Sequence, residues 1–185
     1  MSPRAPEEEW SLRAAELADV PQLEQLIADS ARVLCAADYT ATQIDAALGS
    51  AWGVDTQLIR DRTYFVLAAD SGMAACGGWS RRRTLFGTDA HGGREPELLD
   101  PQLEAARIRA FFVHPSWARR GLGRWLLAHC EASARHEGFR SAQLLATLPG
   151  QRLYRAFGYV GEERVAYPLP GGGMIDFVPM TKQLL

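Results

Sequence analysis

The residues most able to do chemistry lie between Phe111 and Arg124, in the run Phe-Phe-Val-His-Pro-Ser-Trp-Ala-Arg-Arg-Gly-Leu-Gly-Arg. An apolar stretch from Ala105 to Val113 stops at His114-Pro115, and Gly121 and Gly123 then open a pattern of helical spacing. Strand, glycine turn and helix in that order leave backbone N–H groups exposed at a helix start, backed by the positive end of its dipole. Such a start can take a pyrophosphate or a similar anion. Glycine lets the backbone come close to the ligand, and Arg119, Arg120 and Arg124 add forked donors around it. The plainer alternative is that the two glycines only permit a tight strand-to-helix turn.

The overall charge makes a local site of this kind necessary for any anion. The 185 residues carry 20 Lys+Arg against 22 Asp+Glu, a net charge of -2, so nothing pulls the whole chain toward nucleic acid or an anionic membrane. Lys182 is the single lysine, which leaves 19 arginines among the 20 basic residues, and there is no asparagine. GC-rich coding explains that bias, and its consequence is that nearly every cationic contact must come from a guanidinium. It also removes N-glycosylation acceptors. A Walker A loop needs Gly-Lys-Ser/Thr, and Lys182 lies far from any such glycine run, so the usual P-loop is excluded. A dinucleotide fingerprint needs a third small residue where Leu126 stands, and it should follow the first strand of the fold.

Around this block the chain reads as alternating strands and helices. Residues 1–10 form an acidic, proline-containing tail without the basic-then-apolar pattern of a signal peptide. Ser11 to Glu16 is a short alternating strand. Asp19-Val20-Pro21 starts a helix bearing Leu23, Leu26, Ile27, Val33 and Leu34, and the capping box Thr40-x-x-Gln43 starts another that ends at Gly49. Thr63 to Ala69 and Met73 to Arg82 form a hairpin around Asp70-Ser71-Gly72. Gly87 to Gln102 is a polar, turn-rich insertion of a length that is usually functional or disordered. Ala105 to Val113 is a buried strand and Gly121 to Glu137 a helix closed by Gly138. Ser141 to Ala146 is a strand, Pro149 to Phe157 a short helix capped by Gly158, and Tyr159 to Leu169 and Met174 to Gln183 are the last strands. This order predicts one α/β domain over residues 1–185, a mixed sheet of about seven strands flanked by about four helices.

Two motifs in that order resemble the Gcn5-related N-acetyltransferase (GNAT) superfamily. One is Ala118-Arg119-Arg120-Gly121-Leu122-Gly123, matching Gln/Arg-x-x-Gly-x-Gly/Ala with Ala118 in place of the first Gln or Arg. The other is Leu153-Tyr154-Arg155-Ala156-Phe157-Gly158-Tyr159, matching Leu-Tyr-x-x-x-Gly-Phe/Tyr. The resemblance covers about Leu12 to Leu184. It implies acetyl-CoA as cosubstrate, without a metal. The backbone at Phe111, Phe112 and Val113 would hold the pantetheine arm and the thioester carbonyl, and Ala118, Arg119, Arg120, Gly121, Leu122, Gly123 and Arg124 the pyrophosphate. A V-shaped gap between the Phe111 strand and Ser141 to Ala146 would admit the arm. Thr147 stands where many members place an arm-binding Asn.

Tyr154 is the expected catalytic acid, since a phenol with a pKa of about 10 is matched to protonate a departing alkyl thiolate. Its other reading is an aromatic on the packed face of the short helix. Arg107 and Arg109 occupy the strand positions where some members carry a basic Glu, and Glu104 lies before the strand. Asp38, His91 and His114 are candidate bases, each equally readable as a solvated or capping residue. The acceptor wall is expected from Leu34 to Tyr39, Trp52, Trp79 and Gly171 to Gly173, with Arg81-Arg82-Arg83 a cluster that could draw an acidic acceptor.

The function so implied is transfer of an acetyl group from acetyl-CoA to a primary amine of a small molecule or peptide, by direct attack in a ternary complex. A catalytically dead acyl-CoA-binding module is the alternative. No nucleic-acid or membrane partner is expected, and both monomer and homodimer stay open. Cys35, Cys76 and Cys130 are an odd set with no metal spacing, and no apolar run approaches the roughly 18 residues of a bilayer span. A reducing, cytoplasmic setting is therefore expected.

Overall fold

Why the strands and helices fall where they do is visible in a computed structural model, which describes residues 10–90 and 96–184. In chain order the elements are β1 (Ser11–Ala14), α1 (Val20–Leu34), α2 (Ala41–Ala47), α3 (Thr56–Arg60), β2 (Tyr64–Ala69), β3 (Gly72–Ser80), β4 (Ala106–Val113), α4 (Leu122–His136), β5 (Ser141–Ala146), α5 (Gln151–Ala156), β6 (Val165–Pro168) and β7 (Met174–Gln183). The seven strands form one sheet in the order β1-β2-β3-β4-β5-β7-β6. Every neighbouring pair is antiparallel except β4 and β5, which run parallel and need the α4 crossover between them. The mixed sheet with helices on its faces is the architecture expected from the element order.

One face of the sheet packs on α4, whose Leu126, Leu127 and Cys130 are fully buried, and the other packs on α1 and α2 through Leu23, Ile27 and Ile44. The Thr40 capping box forms as expected: Gln43 N–H donates to Thr40 Oγ1 at 3.2 Å, and Thr40 N–H donates to Gln43 Oε1 at 2.9 Å. Asp19 behaves differently. It stands before α1, but its carboxylate accepts from the Arg13 guanidinium at 2.7 and 2.8 Å and from Glu16 N–H, so it closes the preceding turn instead of capping the helix.

Two element assignments need correction. The helices number five among the described residues, because Asp55 caps a single additional turn, α3, too short to show an apolar period. The strand expected over Tyr159 to Leu169 is confined to β6, with only an isolated bridge from Val160 to Thr181 before it. Gly161 explains part of this: a Cβ there would lie 2.0 Å from Pro179 O, so the chain crosses β7 in contact instead of pairing along it.

Tyr39 joins the ends of two strands. Its buried hydroxyl donates to Asp176 O at 2.7 Å and accepts from Leu148 N–H at 2.9 Å. It thereby continues the β5–β7 ladder past its last pair, Ala146 with Val178. Tyr39→Phe leaves both backbone groups unpaired and is expected to cost about 1–3 kcal/mol in urea unfolding, without changing the sheet's spectral signature.

Candidate active site

The site begins where β4 and β5 part. They pair only at Ala106 with Ala142 and Arg107 with Gln143, while β4 runs on to Val113. A bulge in β4 helps: Cys76 faces Phe112 and Gly78 faces Arg109, so β4 carries one extra residue over this interval. Ala110 adopts φ 54 within it, and the Tyr64 hydroxyl donates to Ala110 O at 3.1 Å. Gly77 sits opposite because a Cβ there would meet the Phe111 ring at 2.8 Å. Since His114 N–H donates to Ala74 O at 2.8 Å, strand alternation turns the Val113 N–H the other way, toward the gap. The edge of β4 beyond Arg107 is thereby left without β5 as a partner.

Beyond Val113 a single 3-10 turn, capped by His114 Nδ1 accepting from Ser116 N–H at 3.2 Å, leads to the glycine turn. The two glycines have different reasons. Gly121 has φ +89 and open space around its missing Cβ, so conformation requires it. Gly123, in the first turn of α4, sits in a close fit: a Cβ would lie 3.3 Å from Leu153 Cδ2 and 3.7 Å from Val113 Cγ2. Arg119 also adopts a left-handed φ of 66.

The first turn of α4 opens on a cavity of about 550 Å³. Phe111, Phe112, Val113, Ala118, Arg119, Gly121, Leu122, Gly123 and Arg124 all line it. Arg120 does not. Its guanidinium lies over the Trp117 ring, 4.6 Å from the centroid, and turns away from the cavity. Among the contributors missed in the sequence are Arg152, one turn from Arg155 on α5, and Ser30 on α1. Arg152 adds a third cation to Arg119 and Arg124, and its place directly before the Leu153-Tyr154 motif was the available signal. Burial pushes the Cys35 thiol up to about 11, so it meets the cavity as a neutral, apolar group.

A second, smaller cavity of about 70 Å³ lies across β4. Phe111, Phe112, Thr147 and Tyr154 line both cavities, so the two meet at these four residues. Tyr154 is 8% exposed, packed edge-on to Phe111 and Tyr159 at 6.4 and 5.8 Å between ring centroids. Burial, with a smaller contribution from Cys130, raises its phenol well above the ordinary value of about 10. The closeness to a thiol pKa assumed from sequence is thereby shifted: the proton is held more firmly, and the acid form persists through the working pH range.

The smaller cavity is walled by Trp52, Phe86 and Phe177, with Arg109 at its base. Of the wall expected from sequence, Trp52 is present. Trp79 is not, because it is fully buried beneath α4 with Nε1 donating to Ser133 Oγ at 3.0 Å. Leu34 and Cys35 line the larger cavity instead, Tyr39 is the strand tie described above, and Gly171 to Gly173 line neither. The missed wall is Leu85-Phe86-Gly87, which leads into the turn-rich insertion. That insertion is anchored: Thr88 N–H donates to Ser50 O at 3.0 Å and Thr56 N–H to Asp89 Oδ1 at 3.0 Å.

Arg109 holds the same wall from below. Its guanidinium donates to Thr84 O at 3.0 Å, to Gly87 O at 2.9 Å and to Asp55 Oδ2 at 3.0 Å, both side chains of the ion pair being 3% exposed. Removing one partner of a buried pair strands the other charge, so Asp55→Ala is expected to cost about 3–5 kcal/mol in urea unfolding. Asp55 also accepts from Gln57 N–H, so the same change frees the α3 start.

The remaining charged candidates are placed elsewhere. Arg81, Arg82 and Arg83 pair with Glu137, Asp61 and Glu104 at 2.8, 2.7 and 2.6 Å, which spends the cluster on structural contacts instead of on an acidic acceptor. Arg107 donates to Gln143. Asp38 and His114 line neither cavity, and His91 lies outside the described residues. Among the described residues no His/Cys/Asp/Glu group is arranged to hold a metal, and no helix is long and apolar enough to cross a membrane.

Comparison with known proteins places this geometry. No curated protein matches the sequence. A GCN5-related N-acetyltransferase from Rhodopseudomonas palustris has a similar structure, with TM-score 0.69 and 18% identity over 94% of each chain. So does the PaiA N-acetyltransferase of Thermoplasma acidophilum in complex with coenzyme A, with TM-score 0.64 and 13% identity over 95% of this chain and 99% of that one. An N-acetyltransferase from Staphylococcus aureus gives TM-score 0.62 at 13% identity, over 96% and 99%. At these identities the likeness is one of fold. The acetyltransferase (GNAT) domain family matches residues 60–161, more than half of the sequence and a span that includes both the glycine turn and Tyr154, so the chain belongs to the GNAT family of acetyltransferases.

Proposed function

We propose that this protein transfers an acetyl group from acetyl-CoA to a primary amine of a small molecule or peptide, by direct attack in a ternary complex. The observation that carries this reading is the meeting of two cavities at Phe111, Phe112, Thr147 and Tyr154. One cavity, of about 550 Å³, is lined by the first turn of α4 and by Arg119, Arg124 and Arg152, and the other is smaller and ring-lined. A thioester at the junction is open to an amine from the far side. The coenzyme A bound by the Thermoplasma relative supports the same cosubstrate here.

Each residue then has a defined task. The N–H groups of Gly121 to Arg124 and the dipole of α4 hold the pyrophosphate, with Arg119, Arg124 and Arg152 as charged partners. Ala118 contributes backbone alone. The β4 backbone from Phe111 to Val113 holds the arm and polarises the thioester carbonyl as charge gathers on its oxygen. The amine nitrogen bonds to the carbonyl carbon, the carbon–sulfur bond breaks, and Tyr154 gives its proton to the departing thiolate. The surplus proton on the nitrogen leaves to solvent or returns to Tyr154.

A second reading, an acyl-CoA-binding module without turnover, is favoured by one observation: among the described residues neither cavity is lined by a carboxylate or an imidazole. Release of CoA thiol on adding amines to the protein saturated with acetyl-CoA separates the two. Stoichiometric N-acetyl product supports transfer, whereas saturable binding with no thiol released by any amine leaves only the module.

A further inference from the structure

We infer, resting on the transfer reading above, that Tyr64 is a positioning residue for the reaction: its hydroxyl holds the β4 bulge at Ala110, and the bulge sets where Phe111 and Phe112 stand at the junction of the two cavities. Tyr64 is the first residue of β2, is fully buried and lines neither cavity. It reaches the reacting centre only through what it holds.

The bulge needs such a hold. Between Cys76 opposite Phe112 and Gly78 opposite Arg109, Ala110 and Phe111 share the single position Gly77, which takes them out of the regular ladder. Ala110 adopts a left-handed φ of 54, a conformation that the Cβ of an L-residue disfavours. Residues kept in such conformations persist only where their surroundings over-determine them. The Tyr64 hydroxyl supplies the constraint by donating to Ala110 O at 3.1 Å from across β3. Burial raises its phenol well above the ordinary value of about 10, so it remains a donor at any working pH.

β3 is shaped for that reach. Tyr64 faces Gly78 in the register, and a Cβ on Gly78 would lie 2.7 Å from Tyr64 Cδ2. Gly77 makes the corresponding room for the Phe111 ring. Two successive glycines thus let one ring cross toward Ala110 and another stand at the bulge. Ala110 lines the smaller cavity, and Phe111 and Phe112 line both, so a shift of the bulge moves the walls of the junction together. A misplacement of about 1 Å at a reacting centre can cost about a hundredfold in rate. The phosphate end is held separately: beyond the bulge Val113 pairs with Ala75, and His114 N–H donates to Ala74 O.

The test compares the parent, Tyr64→Phe, Ala110→Gly and the double variant. Three quantities are read: kcat by CoA thiol release with the best acceptor from a panel of primary amines that includes alaninamide, acetyl-CoA affinity by calorimetric titration, and the midpoint of urea unfolding. Tyr64→Phe is expected to lower kcat by about tenfold with acetyl-CoA affinity unchanged. Glycine adopts a left-handed φ without the Cβ penalty, so in a chain already carrying Ala110→Gly the same change should cost only about twofold in kcat. Full kcat in Tyr64→Phe, whatever its urea midpoint, makes Tyr64 a core residue alone and overturns the inference. So does a parallel fall of kcat and acetyl-CoA affinity, which a general loosening of the sheet would give, or failure of the variant to fold. An equal loss of kcat with and without Ala110→Gly also overturns it, because the bulge is then not what the hydroxyl holds. All of these outcomes leave acetyl transfer by the parent intact. A parent that binds acetyl-CoA saturably and releases no thiol with any amine overturns the transfer reading, and the role of Tyr64 with it.

Discussion

Replacing Tyr154 with Phe is expected to lower kcat for amine acetylation by about a hundredfold or more, the usual contribution of a placed proton donor. Acetyl-CoA affinity should change little. The ring is retained, so its packing against Phe111 and Tyr159 survives and stability is close to that of the parent. The pH dependence follows from the direction of the shift. Burial moves the Tyr154 phenol above its ordinary value, so below about pH 10 the parent always holds the proton and the variant never does. The ratio of their kcat values should therefore be flat across this range. If the variant kept full turnover throughout, Tyr154 would be a packing residue alone.

The second large effect concerns the turn that receives the pyrophosphate. Gly123→Val puts a branched side chain where even a Cβ lies 3.3 Å from Leu153 Cδ2. Overpacking of this kind costs about 1–3 kcal/mol. Spent at the cavity wall, it corresponds to a loss of about 5- to 150-fold in acetyl-CoA affinity. Leu153 adjoins Tyr154, so kcat should also fall. Gly121→Ala is the informative partner. Its Cβ would enter open space, and the cost is the left-handed φ, about 1–2 kcal/mol. Calorimetric titration with acetyl-CoA separates the two: Gly123→Val weakens binding with the fold retained, while Gly121→Ala lowers stability and affinity together.

The parts of this site that were legible in the sequence are those built from local chain. Strand, glycine turn and helix from Phe111 to Arg124 are contiguous, and the short helix around Tyr154 carries its own motif, so period and spacing sufficed for both. The capping box at Thr40 is likewise a four-residue signal. What escaped was set by contacts between distant segments. Arg120 and Arg124 look equivalent on paper, and only the position of Trp117 turns one away from the cavity. Trp79 and Trp52 are both aromatic residues near strand or helix ends. One lies under α4 and the other against Phe177, which depends on which face of the sheet each segment crosses. Arg109 read as a misplaced base position, yet its task is to pin Thr84 and Gly87, far away in sequence. The Arg81 to Arg83 run carries no mark in the sequence of the three carboxylates that neutralise it.

Acetyl transfer through the junction of the two cavities is tested most directly by incubating the protein with acetyl-CoA and alaninamide, and measuring free CoA thiol and N-acetylated amine in the same sample. The expected result is equal molar amounts of both, rising with time in proportion to protein and about a hundredfold slower with Tyr154→Phe. Saturable acetyl-CoA binding with neither product, for alaninamide and for every other amine supplied, would contradict it.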